Sequence, residues 1–103
     1  GGLGLAPGAN IGPDYAVFEA VHGSAPDIAG RGIANPTALI LSAAMMLEHV
    51  GECAAGERIR DAVRRIYAEG EVLTGDIRRA DGSRGSANTE EFTDRLIELM
   101  DEE

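Results

Sequence analysis

Val21-His22-Gly23-Ser24-Ala25-Pro26-Asp27-Ile28-Ala29-Gly30-Arg31-Gly32-Ile33-Ala34-Asn35-Pro36-Thr37 is the stretch on which the reading of this chain turns. It begins where the apolar run Ala16-Val17-Phe18-Glu19-Ala20 ends and stops where a strong helical pattern begins. Gly and Pro punctuate it every few residues, so little of it can be helix or strand. A loop of this length between two well-formed elements is uncommon unless it has a job, usually ligand binding. Its chemistry suits a flat, polar, partly aromatic ligand. Gly23 has no Cβ to hold a ligand away. Asp27 can accept hydrogen bonds from a pair of hydroxyls, and His22 and Asn35 can bond or stack on a heterocycle. Read by themselves, Asp27 is a turn residue and Asn35 a helix cap.

Upstream, residues 1–14 are Gly-rich and read alone as a flexible leader ending in a turn. Tyr15 to Val21 reads as a short buried strand, with β-branched and aromatic residues at its centre. Glu19 is its odd member, because a buried charge needs a partner or a function. Phe18 and Tyr15 read as core. Downstream, Asn35 is placed as the N-cap and Pro36 as the first residue of a helix running to about Val50, with Gly51 closing it. Leu39, Ile40, Ala43, Met46, Leu47 and Val50 share one face. Ala38, Leu41, Ala44 and Met45 make most of the rest apolar, so this helix needs more than one neighbour. Glu48 and His49 mark its wet end.

A second helix runs from about Ala54 to Glu69 and stops at Gly70. Ile59, Ala62, Val63, Ile66 and Tyr67 form its inner stripe; Glu57, Arg60, Asp61, Arg64 and Arg65 face water, with Glu57–Arg60 and Asp61–Arg64 as favourable pairs. Val72 to Ala87 is a second loop. The last helix starts at Asn88 or Thr89, where Asn88 and Glu91 resemble a capping box, and buries Phe92, Leu96, Leu99 and Met100. The acidic tail Asp101-Glu102-Glu103 opposes the helix dipole and should fray.

The chain has 103 residues, 44% of them hydrophobic, with two Tyr, two Phe and no Trp. That is enough for one small domain with an aliphatic core. The net charge is −9 and every basic residue is Arg. Such a chain repels nucleic acid and anionic membranes. The acidity reads first as a solvated surface, and second as the surface of a protein from a high-salt organism. No apolar run is long enough to span a bilayer. The single Cys53 cannot form an intrachain disulfide, which fits a cytoplasmic setting.

Other chemistries are poorly supported. No Gly-x-Gly-x-x-Gly sits between a strand and a helix, so the common dinucleotide fold is not indicated. There is no Cys-x-x-Cys and no close His/carboxylate spacing for zinc. Ser24 and His22, two residues apart on a loop, make no triad.

The run His22-Gly23-Ser24-Ala25-Pro26-Asp27-Ile28-Ala29-Gly30 with Asn35-Pro36-Thr37 behind it resembles the coenzyme loop of the isocitrate/isopropylmalate dehydrogenase family. The likeness extends upstream to Gly1-Gly2-Leu3-Gly4-Leu5-Ala6-Pro7-Gly8-Ala9-Asn10-Ile11-Gly12. Downstream it takes in Leu39 to Leu47 and Thr89-Glu90-Glu91-Phe92-Thr93. The resemblance implies an α/β fold: the C-terminal portion of an isopropylmalate dehydrogenase-like α/β/α architecture, with a short strand, the coenzyme loop and three helices. Residues 1–103 would be one incomplete domain, in which residues 1–14 link an upstream helix to the strand.

The resemblance also implies a role for each loop residue. His22 would lie against the adenine of NAD or NADP, and Asn35 would bond its edge. Backbone amides at Gly23, Ser24 and Ala25, leading into Pro26, would approach the ribose and phosphates. Asp27 would take the ribose hydroxyls, with Ile28 beside it. Asp76 would sit at the far side of the adenine, and Glu19 corresponds to an acid near the nicotinamide end. Such enzymes oxidise a 2-hydroxy acid and decarboxylate the product with Mg²⁺ or Mn²⁺, and form homo-oligomers when full-length. Their metal, substrate and acid–base residues match no position here, so the 103-residue chain alone is expected to be inactive. NAD-linked isocitrate dehydrogenase is the favoured match. A 3-isopropylmalate dehydrogenase of leucine biosynthesis is the runner-up, and the alternative of another class is a non-catalytic nucleotide-binding or regulatory subunit. For the coenzyme, Asp27-Ile28 resembles NAD-specific members. The long stretch from Asp76 to Phe92, with Arg79 at a phosphate-binding position, resembles NADP-linked ones; Gly75 stands where those have a tyrosine.

Overall fold

The computed structural model describes residues 5–102. The expectations for Gly1 to Gly4 and for Glu103 fall outside them. In chain order come β1 (Pro7–Ile11), β2 (Ala16–Ala20), α1 (Thr37–His49), α2 (Cys53–Glu69) and α3 (Thr89–Asp101). This is an α/β arrangement in which a two-stranded sheet and the helices leave two long loops between them.

The sheet differs from the sequence expectation in one element. The Gly-rich leader is in part a strand: β1 pairs antiparallel with β2, from Pro7 opposite Ala20 to Ile11 opposite Ala16. Its composition hides it, because Pro, Gly and Asn are depleted in strands. Pro7 is tolerated because it is the first residue of an edge strand. The hairpin closes through Pro13-Asp14, with the Gly12 amide donating to the Tyr15 carbonyl at 2.8 Å. Nor is β2 buried on both faces. Ala16, Phe18 and Ala20 are half-buried while Val17 and Glu19 are exposed, the alternation of a one-sided sheet. Glu19 therefore faces outward and needs no buried partner. Tyr15, expected in the core, is 85% exposed.

The core lies between α2 and α3: Ala62, Val63 and Ile66 meet Phe92, Leu96 and Leu99, with Leu73 of the second loop closing it. Phe92, Ile66 and Leu99 are fully buried, each contributing about 1.5–3 kcal/mol. The Tyr67 and Phe92 rings pack edge-tilted, 5.9 Å apart. The capping box at the start of α3 is present in full. The Asn88 side chain accepts from the Glu91 amide at 2.7 Å, and the Glu91 carboxylate accepts from the Asn88 amide at 2.9 Å. α2 ends where Gly70 turns left-handed at φ +70°.

α1 begins at Thr37, one residue later than expected. The N-cap is therefore Pro36 and not Asn35, which stands one residue outside the helix with its Oδ1 accepting the Thr37 amide at 3.0 Å. Its end is a Schellman motif: the Gly51 amide reaches the Glu48 carbonyl and the Glu52 amide reaches the Leu47 carbonyl. Not every apolar side of the helix is covered. Thr37, Ala38, Ser42 and Ala44 are buried, whereas Leu39, Met46 and Val50 are 61%, 44% and 65% exposed. Ile11, Tyr15 and Val17 of the hairpin are exposed as well. Ser42 Oγ donates to the Glu19 carbonyl at 2.7 Å, tying α1 to β2.

Of the two one-turn pairs expected on α2, Asp61–Arg64 forms and Glu57–Arg60 does not. Arg60 turns to Glu48 of α1, with two bonds of 2.8 and 2.9 Å, while Arg64 bridges Glu57 and Asp61. Arg95 of α3 clamps Glu69 of α2, and Arg65 reaches Glu102, the C-cap residue of α3.

Candidate functional site

Between the first loop and the second lies a groove of about 790 Å³, within the range of small-molecule and cofactor sites. One wall comes from the first loop: His22, Gly23, Ala25, Ile28 and, before the helix, Ile33, Ala34 and Asn35. The other comes from the second loop: Gly75, Asp76, Ser86 and Ala87. The walls are mostly small, apolar or backbone surface, with polar groups at a few points.

The first loop is held by local bonds. The Ile28 amide donates to the Ala25 carbonyl and the Arg31 amide to the Ile28 carbonyl. Ala25 has φ +46°, a left-handed conformation that costs a residue with a Cβ about 1–2 kcal/mol. Such strain is found where a loop is held for function. The loop's far end is anchored to α3: Thr89 donates its backbone amide to the Gly32 carbonyl and its hydroxyl to the Ala34 carbonyl, at 2.8 and 2.6 Å. At Gly23 an added Cβ would meet nothing within 4 Å, so the space above the backbone is open to a ligand.

The second loop is braced from within. The Ala87 amide bonds the Leu73 carbonyl and the Gly85 amide the Ile77 carbonyl, each at 2.9 Å. A Cβ at Gly85 would lie well under 3.0 Å from the carbonyl oxygens of Leu73 and Thr74, so the loop closes on itself only because that residue is glycine.

Where the two loops meet, a polar cluster joins them. Asn35 Nδ2 donates to Asp76 Oδ2 and to the Tyr67 hydroxyl, both at 3.1 Å. Asn35 Oδ1 accepts from the Thr37 amide and from its hydroxyl, the latter at 2.6 Å. The Thr37 and Tyr67 hydroxyls are 2.7 Å apart, and Thr74 Oγ1 donates to Asp76 Oδ1 at 2.5 Å. Thr37 and Thr74 are buried.

The structure thus brings together His22, Gly23, Ala25, Ile28, Asn35 and Asp76 of the expected set. Ser24, Pro26 and Asp27 lie on the exposed rim of the same loop. Glu19 stands apart on β2, its carboxylate within 3.4 Å of Asn10 Nδ2. Arg79 is turned inward. It donates to the carbonyls of Gly70, Glu71 and Arg84 at 2.6, 3.0 and 2.8 Å, and its second contact from Nη1 is to Ser83 Oγ. Sequence reasoning passed over Ile33, Ala34, Ser86 and Ala87 in the walls, and Thr37, Tyr67 and Thr74 beneath them. Among the described residues no three His, Cys, Asp or Glu side chains are placed to hold a metal ion. No helix among them is long and apolar enough to cross a membrane.

Comparison with known proteins gives the groove a context. The family model described as "Isocitrate/isopropylmalate dehydrogenase" matches residues 1–96. An isocitrate/homoisocitrate dehydrogenase of Thermus thermophilus is 54% identical over 100 residues, covering 97% of this chain and 28% of that protein. The NADP isocitrate dehydrogenase of the same organism is 52% identical over 100 residues, 97% of this chain and 20% of that protein. A mitochondrial regulatory subunit of the NAD isocitrate dehydrogenase of Dictyostelium discoideum is 50% identical over 103 residues, 99% of this chain and 27% of that protein. Among solved structures, isocitrate dehydrogenase from Methylococcus capsulatus superposes with a TM-score of 0.88 at 53% identity, over 97% of this chain and 28% of that one. The chain thus spans between a fifth and a third of the length of these relatives.

Proposed function

The chain belongs to the isocitrate/isopropylmalate dehydrogenase family, and we propose that it is the part that holds the adenosine half of NAD in a decarboxylating dehydrogenase. The observation that carries this reading is the groove itself. His22, Gly23 and Ala25 of the first loop and Gly75 and Asp76 of the second line an open, largely apolar space, and the two loops are joined where Asn35 bonds Asp76.

The residues fit a dinucleotide. His22 offers a flat ring for the adenine. The Asn35 side chain has both amide hydrogens and both Oδ1 lone pairs engaged, so the adenine edge would be read by the Asn35 backbone, whose amide has no partner among the described residues. The open backbone at Gly23 to Ala25 lets a ribose and phosphates approach. Asp27, on the rim, would accept the ribose hydroxyls, and Glu19 would lie toward the nicotinamide end. When bound, the coenzyme would supply the hydride acceptor for C2 of a 2-hydroxy acid, whose hydroxyl proton would go to a base and whose 2-oxo product would then lose CO₂. The residues that bind the acid and metal, and the acid–base pair, would come from the rest of a full-length, cytoplasmic homo-oligomer.

Two features support NAD over NADP. Asp27 is an exposed carboxylate on the loop that would face the ribose, and it repels a 2′-phosphate. Arg79, the cation that would attract that phosphate, has its guanidinium committed to three backbone carbonyls. Isocitrate is the favoured substrate, with 3-isopropylmalate second. A non-catalytic role has a specific observation behind it as well: the regulatory subunit of Dictyostelium discoideum is 50% identical to this chain. The experiment is a turnover assay of the full-length protein with NAD, Mg²⁺ and each acid. Decarboxylation of isocitrate supports the reading, turnover of 3-isopropylmalate alone moves it to the runner-up, and no turnover without a catalytic partner favours the regulatory role.

A further inference from the structure

α2 contributes no residue to the walls of the groove, yet one of its side chains is bonded to Asn35, the wall residue that joins the two loops. The bonds around Asn35 can be assigned one by one. A flipped carboxamide would set its NH₂ against the Thr37 amide and its oxygen against the Asp76 carboxylate, so Oδ1 must be the atom that faces Thr37. Thr37 Oγ1 has a single hydrogen, and it goes to Asn35 Oδ1 at 2.6 Å. The 2.7 Å contact between Thr37 Oγ1 and Tyr67 must then have the tyrosine hydroxyl as donor. The same hydroxyl oxygen accepts from Asn35 Nδ2 at 3.1 Å. Tyr67, Thr37 and Asn35 therefore form a closed ring in which every donor has one acceptor. The second hydrogen of Asn35 Nδ2 leaves the ring for Asp76, whose other oxygen is held by the buried Thr74.

We propose that Tyr67 is a positioning residue for coenzyme binding: its hydroxyl fixes the Asn35 carboxamide, and through Asp76 it sets the spacing of the two loops. This rests on the reading of the groove as the coenzyme site. The ring of Tyr67 is placed by the core, 5.9 Å from that of Phe92, so the hydroxyl arrives from a rigid element and not from a loop. Removing only the hydroxyl leaves that packing in place.

The test uses the full-length enzyme. Tyr67→Phe should raise KM for the coenzyme about three- to tenfold, the range of one or two hydrogen bonds. KM for the acid substrate should stay level, kcat should change by less than the coenzyme KM, and the NAD/NADP preference should be preserved, since the adenine is common to both. Thr37→Val should reproduce the effect and Thr37→Ser, which keeps the hydroxyl, should restore it. That pair stands in for Tyr67→Phe should the phenylalanine variant lose its cooperative melt. His22→Ala, which removes the ring offered to the adenine, is the control for the site. A coenzyme KM raised by His22→Ala but untouched by Tyr67→Phe and Thr37→Val overturns the positioning role and leaves the groove reading standing. A coenzyme KM untouched by all three overturns both.

Discussion

Replacing Gly85 by alanine should collapse one wall of the groove. The added Cβ would sit less than 3.0 Å from two backbone oxygens, those of Leu73 and Thr74. Neither neighbour can give way, because Leu73 is 3% exposed and Thr74 is fully buried. The loop must open instead, which strains the bonds from the Ala87 amide to Leu73 and from the Gly85 amide to Ile77. Overpacking costs about 1–3 kcal/mol, and each backbone bond lost adds about 1 kcal/mol. The total is about 3–5 kcal/mol, a drop of roughly 10 °C in Tm for a domain of the relatives' size. Because Gly75, Asp76, Ser86 and Ala87 ride on that loop, coenzyme KM should rise well above tenfold. Gly82→Ala is the matched control. Gly82 has φ +91° but nothing within 4 Å of an added Cβ, so it carries only the conformational cost of about 1–2 kcal/mol. Differential scanning calorimetry and coenzyme kinetics on both variants of the full-length protein decide the matter. Equal effects at the two positions would refute the claim that the loop is closed by contact at Gly85.

Two further outcomes follow from the helices. Asn88→Ala removes half of the capping box and should destabilise by about 1 kcal/mol, read as a small fall in Tm, while Asn88→Ser should recover most of it. The Arg60 guanidinium bonded to Glu48 and the Arg95 guanidinium bonded to Glu69 hold both carboxyls below their ordinary value of 4.5. Folding therefore gains from both charges above that pH, and the gain is lost as pH falls through the lowered values. Melting curves from pH 7 to pH 3 should show wild type above Glu48→Gln at neutral pH and the two converging in acid. A constant gap would show that the charge is not what matters at that site.

The helices were legible because their signals are local. The 3.6-residue stripe of α2, its glycine stop, and the Asn88/Glu91 pair all lie within a few residues of what they specify. α1 was located well, but which of its apolar sides is covered was not legible. It is apolar nearly all round, so periodicity could not tell which face would meet α2 and the sheet. β1 was missed because Pro7, Gly8 and Asn10 carry turn propensity, and only pairing with β2 makes them a strand. The loop residues of the site were legible through a distinctive ordered run. Tyr67 was not, because its link to Asn35 spans 32 residues and that from Asn35 to Asp76 spans 41. A hydrogen bond across such distances leaves no mark in spacing. Arg79, which the resemblance sets at a phosphate-binding position, has bonds to the Gly70 and Glu71 carbonyls that its spacing does not announce either.

The central claim is that the first loop holds the adenosine end of NAD. The ratio of kcat/KM for NAD to that for NADP, measured on the full-length enzyme and on its Asp27→Lys/Ile28→Tyr double variant, tests it most directly. The account predicts a wild-type ratio above one, and a fall of at least about tenfold in the variant, where a repelling carboxylate is exchanged for an attracting ammonium. A wild-type enzyme favouring NADP, or a ratio indifferent to both substitutions, would contradict it.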